Sequence, residues 1–289
     1  MKTITPRIGV RRRRRWRIPI GMCLLPICGA CIPLAASGQT PFFDAPGVTE
    51  RELETDRDAF TPAISTVGTS VLVVETAYTF IDNRDARDTH SFPELLLRYG
   101  ISDRIELRFG ANYEVGGENA VTGIEDGQPI VESEIERESR VFYGAKAQIS
   151  EQEGWLPESI FIAQGFTPTS GVSTATQFVG TYAWGWKFVE DIRWDSSIRY
   201  GTANEDGTEF HQWAPSTVLR VPFDERWNAH IEYFAIATDG LEDELTQGYI
   251  SPGMHCLVTP NLELGARMGW GTTDDSANYF VNAGAGLRF

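Results

Sequence analysis

From about residue 69 to the end, apolar and polar positions trade places with a period of two. That is the signature of strands with one face in an apolar medium and one in a polar one. Twelve segments carry the pattern: 70–81, 91–99, 105–115, 139–150, 158–166, 178–189, 194–201, 212–221, 227–236, 248–258, 262–270 and 278–289. In the third, Ile105, Leu107, Phe109, Ala111, Tyr113 and Val115 share one face, and Glu106, Arg108, Gly110, Asn112 and Glu114 the other. The eleventh repeats it, with Leu262, Leu264, Ala266, Met268 and Trp270 against Glu263, Gly265, Arg267 and Gly269. The last sets Tyr279, Val281, Ala283, Ala285, Leu287 and Phe289 against Phe280, Asn282, Gly284, Gly286 and Arg288. Segments of this length cross a bilayer when tilted. The fifth and sixth are less clear than the rest, and the fifth has no assignable inside, because Ile160 and Ile162 on one face and Phe161 and Ala163 on the other are all apolar.

The connections sort by length. Short ones fall at 100–104, 222–226 and 259–261; longer polar ones fall at 82–90, 116–138, 202–211 and 237–247. Short turns at one rim and long loops at the other are the habit of outer-membrane barrels, and an even strand count returns both ends to the short-turn, periplasmic side. Aromatic residues mark two interfaces on the apolar face. Tyr78, Tyr113, Tyr143, Tyr200, Trp213, Tyr233, Trp270 and Tyr279 stand toward the outer ends, and Tyr99, Phe188, Trp194, Trp227 and Phe289 toward the inner ends. The expectation is an all-β fold: a single transmembrane antiparallel β-barrel of about twelve strands, of the bacterial outer-membrane type, spanning 69–289. Its surroundings are outer-membrane lipid. Phe289, the terminal aromatic of the closing strand, is the candidate assembly signal read by the barrel-assembly machinery.

Residues 1–38 read as an export signal. Lys2, Arg7, Arg11 to Arg15 and Arg17 form a basic region with no acidic residue, an apolar stretch runs from Ile18 to Ala36, and small residues follow. Cleavage is expected near Gly38. It would remove eight basic and no acidic side chains from a chain of net charge −15, leaving about −23. So acidic a chain has no bulk attraction for nucleic acid. Cys23, Cys28 and Cys31 fall in the signal, so Cys256 stands alone afterwards and no disulfide, CxxC site or zinc cluster follows.

Several stretches resemble a known family. They are Glu54-Thr-Asp-Arg57, Glu75-Thr-Ala-Tyr78, Pro93-Glu-Leu-Leu-Leu-Arg-Tyr-Gly100, Asp103-Arg-Ile-Glu-Leu-Arg108 and Thr167-Pro-Thr-Ser-Gly171. In them the chain is similar to the outer-membrane transporters named after the phenol meta-cleavage degradation pathway. Where that family often has proline after the Asp-Arg pair, this chain has Asp58, and Ser170 splits its Pro-Thr-Gly element. The resemblance implies a pore-like barrel linked to uptake of small organic solutes, aromatic ones among them, with no cofactor and no catalytic fingerprint.

The alternation assigns a lumen. Its acidic candidates are Glu75, Glu94, Glu106, Glu114, Asp195, Glu232 and Glu263; its basic ones are Arg98, Arg108, Lys146, Lys187, Arg199, Arg220, Arg267 and Arg288, with His230 and His255 beside them. Seven acids against eight bases is near balance, so the negative excess must sit in the loops and the N-terminal segment. Such a lumen would hold little net potential, and Phe234 and Phe280 would offer a passing ring an apolar surface. Residues 39–68 are too polar for a strand run: either a periplasmic tail or a plug, whose candidates are Glu54, Asp56, Arg57 and Phe60. The acidic loop 116–138 reads first as a solvated run of like charge; the alternative is a divalent-cation site on its carboxylates, without EF-hand spacing. Two other classes stand beside a passive channel. One is a closed structural or adhesive barrel. The other is an outer-membrane hydrolase, for which His230, Glu232, Ser251 and His255 have the residue types of nucleophilic catalysis.

Overall fold

The computed structural model describes residues 52–84, 86–116, 136–171, 175–205, 208–240 and 244–289. Twelve strands follow one another: β1 (Leu72–Asp82), β2 (Thr89–Ser102), β3 (Ile105–Gly116), β4 (Glu136–Ser150), β5 (Glu158–Ser170), β6 (Gln177–Lys187), β7 (Arg193–Glu205), β8 (Thr208–Pro222), β9 (Trp227–Asp239), β10 (Thr246–Thr259), β11 (Leu262–Gly271) and β12 (Tyr279–Arg288). A 3-10 turn over Val189–Asp191 is the one helical element among the described residues. Each strand pairs antiparallel with its neighbours in sequence, and β12 closes on β1 from Val73↔Arg288 to Asp82↔Tyr279. Leu72 and Phe289 exchange both backbone hydrogen bonds beyond that ladder, at 3.2 and 2.8 Å. Closure is what permits such a sheet in lipid, because no edge is left with unpaired peptide groups.

The barrel is polar inside and apolar outside. Along β3, Ile105, Leu107, Phe109 and Tyr113 face outward and exposed, while Glu106, Arg108, Asn112 and Glu114 are buried. The aromatic residues named above lie on the outward face, Trp270 and Phe289 at 43 and 47% exposure. In the ambiguous fifth strand, β5, Ile160 and Ile162 point inward and Phe161 and Ala163 outward.

Two expectations about connections change. The span 202–211 is not a long loop: β7 and β8 continue to the pair Glu205↔Thr208. Polar residues at both parities make that stretch read as a loop, yet the backbone ladder continues through it. The loop 116–138 is shortened by β4, which begins at Glu136, and 117–135 lie outside the described residues. So do the signal, its cleavage site, Cys23, Cys28 and Cys31, and most of the acidic side chains considered for divalent cations. Cys256 is buried and forms no disulfide among the described residues.

The interior is filled. Residues 52–71 lie within the barrel without regular secondary structure and make apolar contacts at three levels. Phe60 packs with Ile81, Phe234, Ile236, Tyr249 and Phe280; Ile64 packs with Ile160, Ile162 and Ala183; Leu53, Val67 and Val71 pack with Val73 and Leu257. The second contact explains the apolar inward face of β5: it receives Ile64. Small wall residues admit the segment. A Cβ at Gly286 would come 2.3 Å from Thr55 Cγ2, and one at Gly100 would stand 1.6 Å from the Gly68 carbonyl oxygen.

Candidate functional site

The site is the contact between this inner segment and the wall. Its path follows from its anchors. Glu54 meets Arg193 at 2.7 Å, where β7 starts. Deeper in, Thr61 Oγ1 donates to Glu232 Oε1 at 2.7 Å and lies 2.7 Å from Ser216 Oγ. The segment then returns, with Thr66 donating to the Asp103 carbonyl at 2.7 Å and Thr69 Oγ1 to the Asp103 carboxylate at 2.9 Å, in the β2–β3 turn. Both ends of the segment therefore stand at the short-turn rim, and Phe60 and Thr61 are its tip.

Asp56 is the hub. Its carboxylate lies 3.5 Å from Arg98 and 3.0 Å from Lys146, and Arg108 donates to it directly. Arg98 also binds Glu75 at 3.0 Å and Glu106 at 2.9 Å. These six groups, three cations and three anions, are almost fully buried. Burial alone would raise the Asp56 carboxyl, but Arg98, Lys146 and Arg108 hold it far below the usual carboxylate range. Segment backbone joins in: the Asp56 N–H donates to Glu75 at 2.9 Å, Val67 N–H to Glu106 at 3.0 Å, and Lys146 donates to the Ala63 and Ser65 carbonyls at 2.9 and 3.1 Å.

On the opposite wall, Glu232 accepts from the Phe60 and Thr61 N–H groups at 2.8 and 2.7 Å and from Arg267 at 3.2 Å. The Phe60 ring stacks on Phe234 at 4.4 Å and nearly parallel, with the Arg199 guanidinium 4.4 Å from its other side. Arg57 pairs with Glu94 at 3.3 Å, and Thr55 donates to Glu263 at 2.5 Å. Arg220 binds Asp195 and donates to the Thr61 carbonyl at 3.2 Å. Charge-assisted bonds of this kind are the strong ones. Because they join side chains to a segment with no ladder of its own, they hold it without making it part of the sheet.

Most of the lumen candidates thus converge on the inner segment, and Glu54, Asp56, Arg57 and Phe60 all lie in contact with the wall. Some do not. Lys187 keeps the inward parity but stands half-exposed at the rim, paired with Asp191 at 2.6 Å, because the strand ends there. Arg288 is held at the β10–β11 turn by Asn261 and the Pro260 carbonyl, at 3.0 and 2.8 Å. Glu114 sits farther up β3, 2.6 Å from Asn112 Nδ2 and 3.8 Å from Arg140. Phe234 and Phe280 are fully buried beneath Phe60 and offer no open surface while it is docked. His230 and Ser251 make no hydrogen bond among the described residues, and Glu232 is committed to the segment, so these residues do not assemble a Ser–His–carboxylate triad. The sequence reading missed Arg193, Thr55 and Thr61, and Asp58 as a contact residue. Arg193 shares parity with Asp195 and Arg199, a signal lost by starting that strand at Trp194.

Three cavities flank the segment. Two, of about 280 and 490 Å³, open at the short-turn end, and one of about 110 Å³ lies on the far side between Phe60, Phe142, Phe166, Arg57, Arg199 and Arg267.

A closed twelve-stranded antiparallel barrel, apolar outside and charged within, defines an outer-membrane barrel protein with an internally docked N-terminal segment. Residues 55–289 match the family model described as "Putative MetA-pathway of phenol degradation", and the chain belongs to that family. Solved structures of similar fold include the COG4313 outer membrane channel from Pseudomonas putida F1, at TM-score 0.55 and 10% identity, covering 78% of this chain and 98% of that one. The NanC porin aligns at TM-score 0.46 and 10% identity, over 75% of this chain and 98% of its own. At such identity the likeness is one of fold alone. Among curated protein sequences, none matches the chain.

Proposed function

We propose that the protein is a gated outer-membrane channel for small organic solutes, delivered by a cleaved signal over residues 1–38, with residues 39–68 carrying the plug. The observation behind this is the manner of docking. The inner segment is fastened by side-chain ion pairs and single hydrogen bonds, with no strand ladder to the wall. A purely structural barrel could fill its lumen with wall side chains, whereas a segment held this way can leave and expose a charged, water-compatible bore. Aromatic rings and guanidinium groups on its far side suit small organic solutes that carry a ring. The family's description, which refers to phenol degradation, agrees with that class.

The plugged lumen pairs its charges, so the passage is weakly ion-selective: paired charges cancel, and the remainder is screened within about 8–10 Å at physiological salt. The test is current through planar bilayers for the mature chain and for a version lacking residues 39–67. The deletion should conduct more. Identical currents would remove the plug from the reading. No current from either, with no solute uptake in cells, would favour the closed structural barrel.

A further inference from the structure

We propose that Asp58, His230 and His255 form a binding site for a divalent transition metal of the zinc class, one that fastens the inner segment to the wall. One ligand atom from each of the three lies within 4.8 Å of the other two. His255 Nδ1 lies 3.2 Å from Asp58 Oδ2. Two ligands on a tetrahedral metal, each bonded at about 2.0–2.1 Å, stand about 3.3 Å apart. The pair thus has the spacing of co-ligands, and a small side-chain rotation brings the third atom in.

The same residues carry the unmet polar groups of this region. Both ring nitrogens of His230, Asp58 Oδ1 and the neighbouring Ser251 Oγ have no hydrogen-bond partner, and His230 and Ser251 are 5 and 0% exposed. A buried polar group left unpaired is costly, so such a cluster calls for a ligand. Arg220 faces Asp58 at 3.9 Å but gives its hydrogen bonds to Asp195 and the Thr61 carbonyl.

The site is also shaped. His230 of β9 and His255 of β10 are neighbours on the inward face, where His230 pairs with Gly253 and Asn228 with His255. The His230 ring lies over Gly253, where a Cβ would fall 2.4 Å from its Cε1 and Nε2. Entry is open, since Asp58 and His255 line the cavity of about 280 Å³ at the short-turn end. Two imidazoles and one carboxylate suit zinc, cobalt, nickel or copper, whereas calcium and magnesium take all-oxygen sets. Because Asp58 belongs to the segment and both histidines to the wall, metal would favour the docked state. The binding measurement does not depend on whether the barrel conducts.

The experiment titrates Co²⁺ into the chelator-treated, folded mature chain in detergent, following its visible absorption and the heat of binding, with Mg²⁺ and Ca²⁺ as controls. One saturable Co²⁺ site, displaced by Zn²⁺ and not by the controls, is expected. His230→Gln, His255→Gln and Asp58→Asn should each weaken it by about 100-fold or more, and Gly253→Ala, which removes no ligand, by about tenfold through displacement of the ring. His90→Gln and His211→Gln, at exposed histidines that lie 2.8 Å from tyrosine hydroxyls, should leave it unchanged. Heat-modifiable migration checks that each variant is folded. Absence of a saturable site in the parent chain, or binding that survives both His230→Gln and His255→Gln, overturns the proposal. Unchanged binding in the chain lacking residues 39–67 overturns the link between segment and wall.

Discussion

Asp56→Asn should loosen the plug more than any other single conservative change. In the parent chain Asp56, Glu75 and Glu106 face Arg98, Arg108 and Lys146, so the buried charges balance. The substitution keeps size and shape but leaves an excess positive charge among side chains that are almost fully buried. Breaking a buried pair on one side costs about 3–5 kcal/mol. Lys146 retains the Ala63 and Ser65 carbonyls and Glu106 at 3.7 Å, which argues for the lower end. A loss of about 3 kcal/mol lowers the ratio of docked to undocked segment by about two orders of magnitude, at roughly 1.4 kcal/mol per factor of ten. Single-channel recording should show longer open times, and protease should cut residues 52–68 sooner. The double variant Asp56→Asn, Lys146→Met removes one charge of each sign and should recover much of the loss, because removing both partners leaves less charge stranded. Wild-type open times and wild-type protection in correctly folded Asp56→Asn would refute the reasoning.

Phe60→Ala removes a ring held between Phe234 and Arg199 and should weaken docking by about 3–5 kcal/mol, read as an increase in conductance. Deleting Phe289, whose backbone completes the exchange with Leu72 and whose ring faces outward, should lower the folded, heat-modifiable fraction in outer membranes; unchanged assembly would rule it out as a recognition signal. Burial raises the Glu54 carboxyl, but Arg193 and Ser65 outweigh it and leave its pKa depressed. The Glu54–Arg193 tie is then fully present above the ordinary glutamate value of about 4.3 and is lost only as pH falls below it. The tie should therefore hold from pH 7 to 5 and weaken in stronger acid, where conductance should rise, and Glu54→Gln should blunt that rise.

The barrel could be read from the chain because lipid outside and water or charge inside impose an alternation along each strand, as in β3 and β11. The same alternation located Glu75, Arg98, Glu106 and Lys146 on one face. It could not say that they meet Asp56, since that contact depends on a segment with no period of its own. It failed at β5, where Ile64 of the segment makes an apolar demand on the inward face and erases the contrast. It failed again at 202–211, where polar residues at both parities leave no alternation to mark the strands. His230 and His255 share the inward face of β9 and β10, but Asp58 reaches them only through the docked segment, which has no period to betray the meeting.

The turn of the inner segment at Phe60 and Thr61 has a mechanical consequence. Since both limbs of residues 52–71 stand at one rim, the segment occupies the bore as a bight of rope does a tube. A pull from the periplasmic side acts along the direction of escape and can part the ties in succession, with Arg193–Glu54 near the rim loaded before the Asp56 hub and the Glu232 cradle at the tip. A push from the outer side would be borne by the Phe60 tip in its bed of Phe234, Tyr249 and Phe280. On the proposed reading, the docked segment would yield to tension from the short-turn rim and resist pressure from the opposite one.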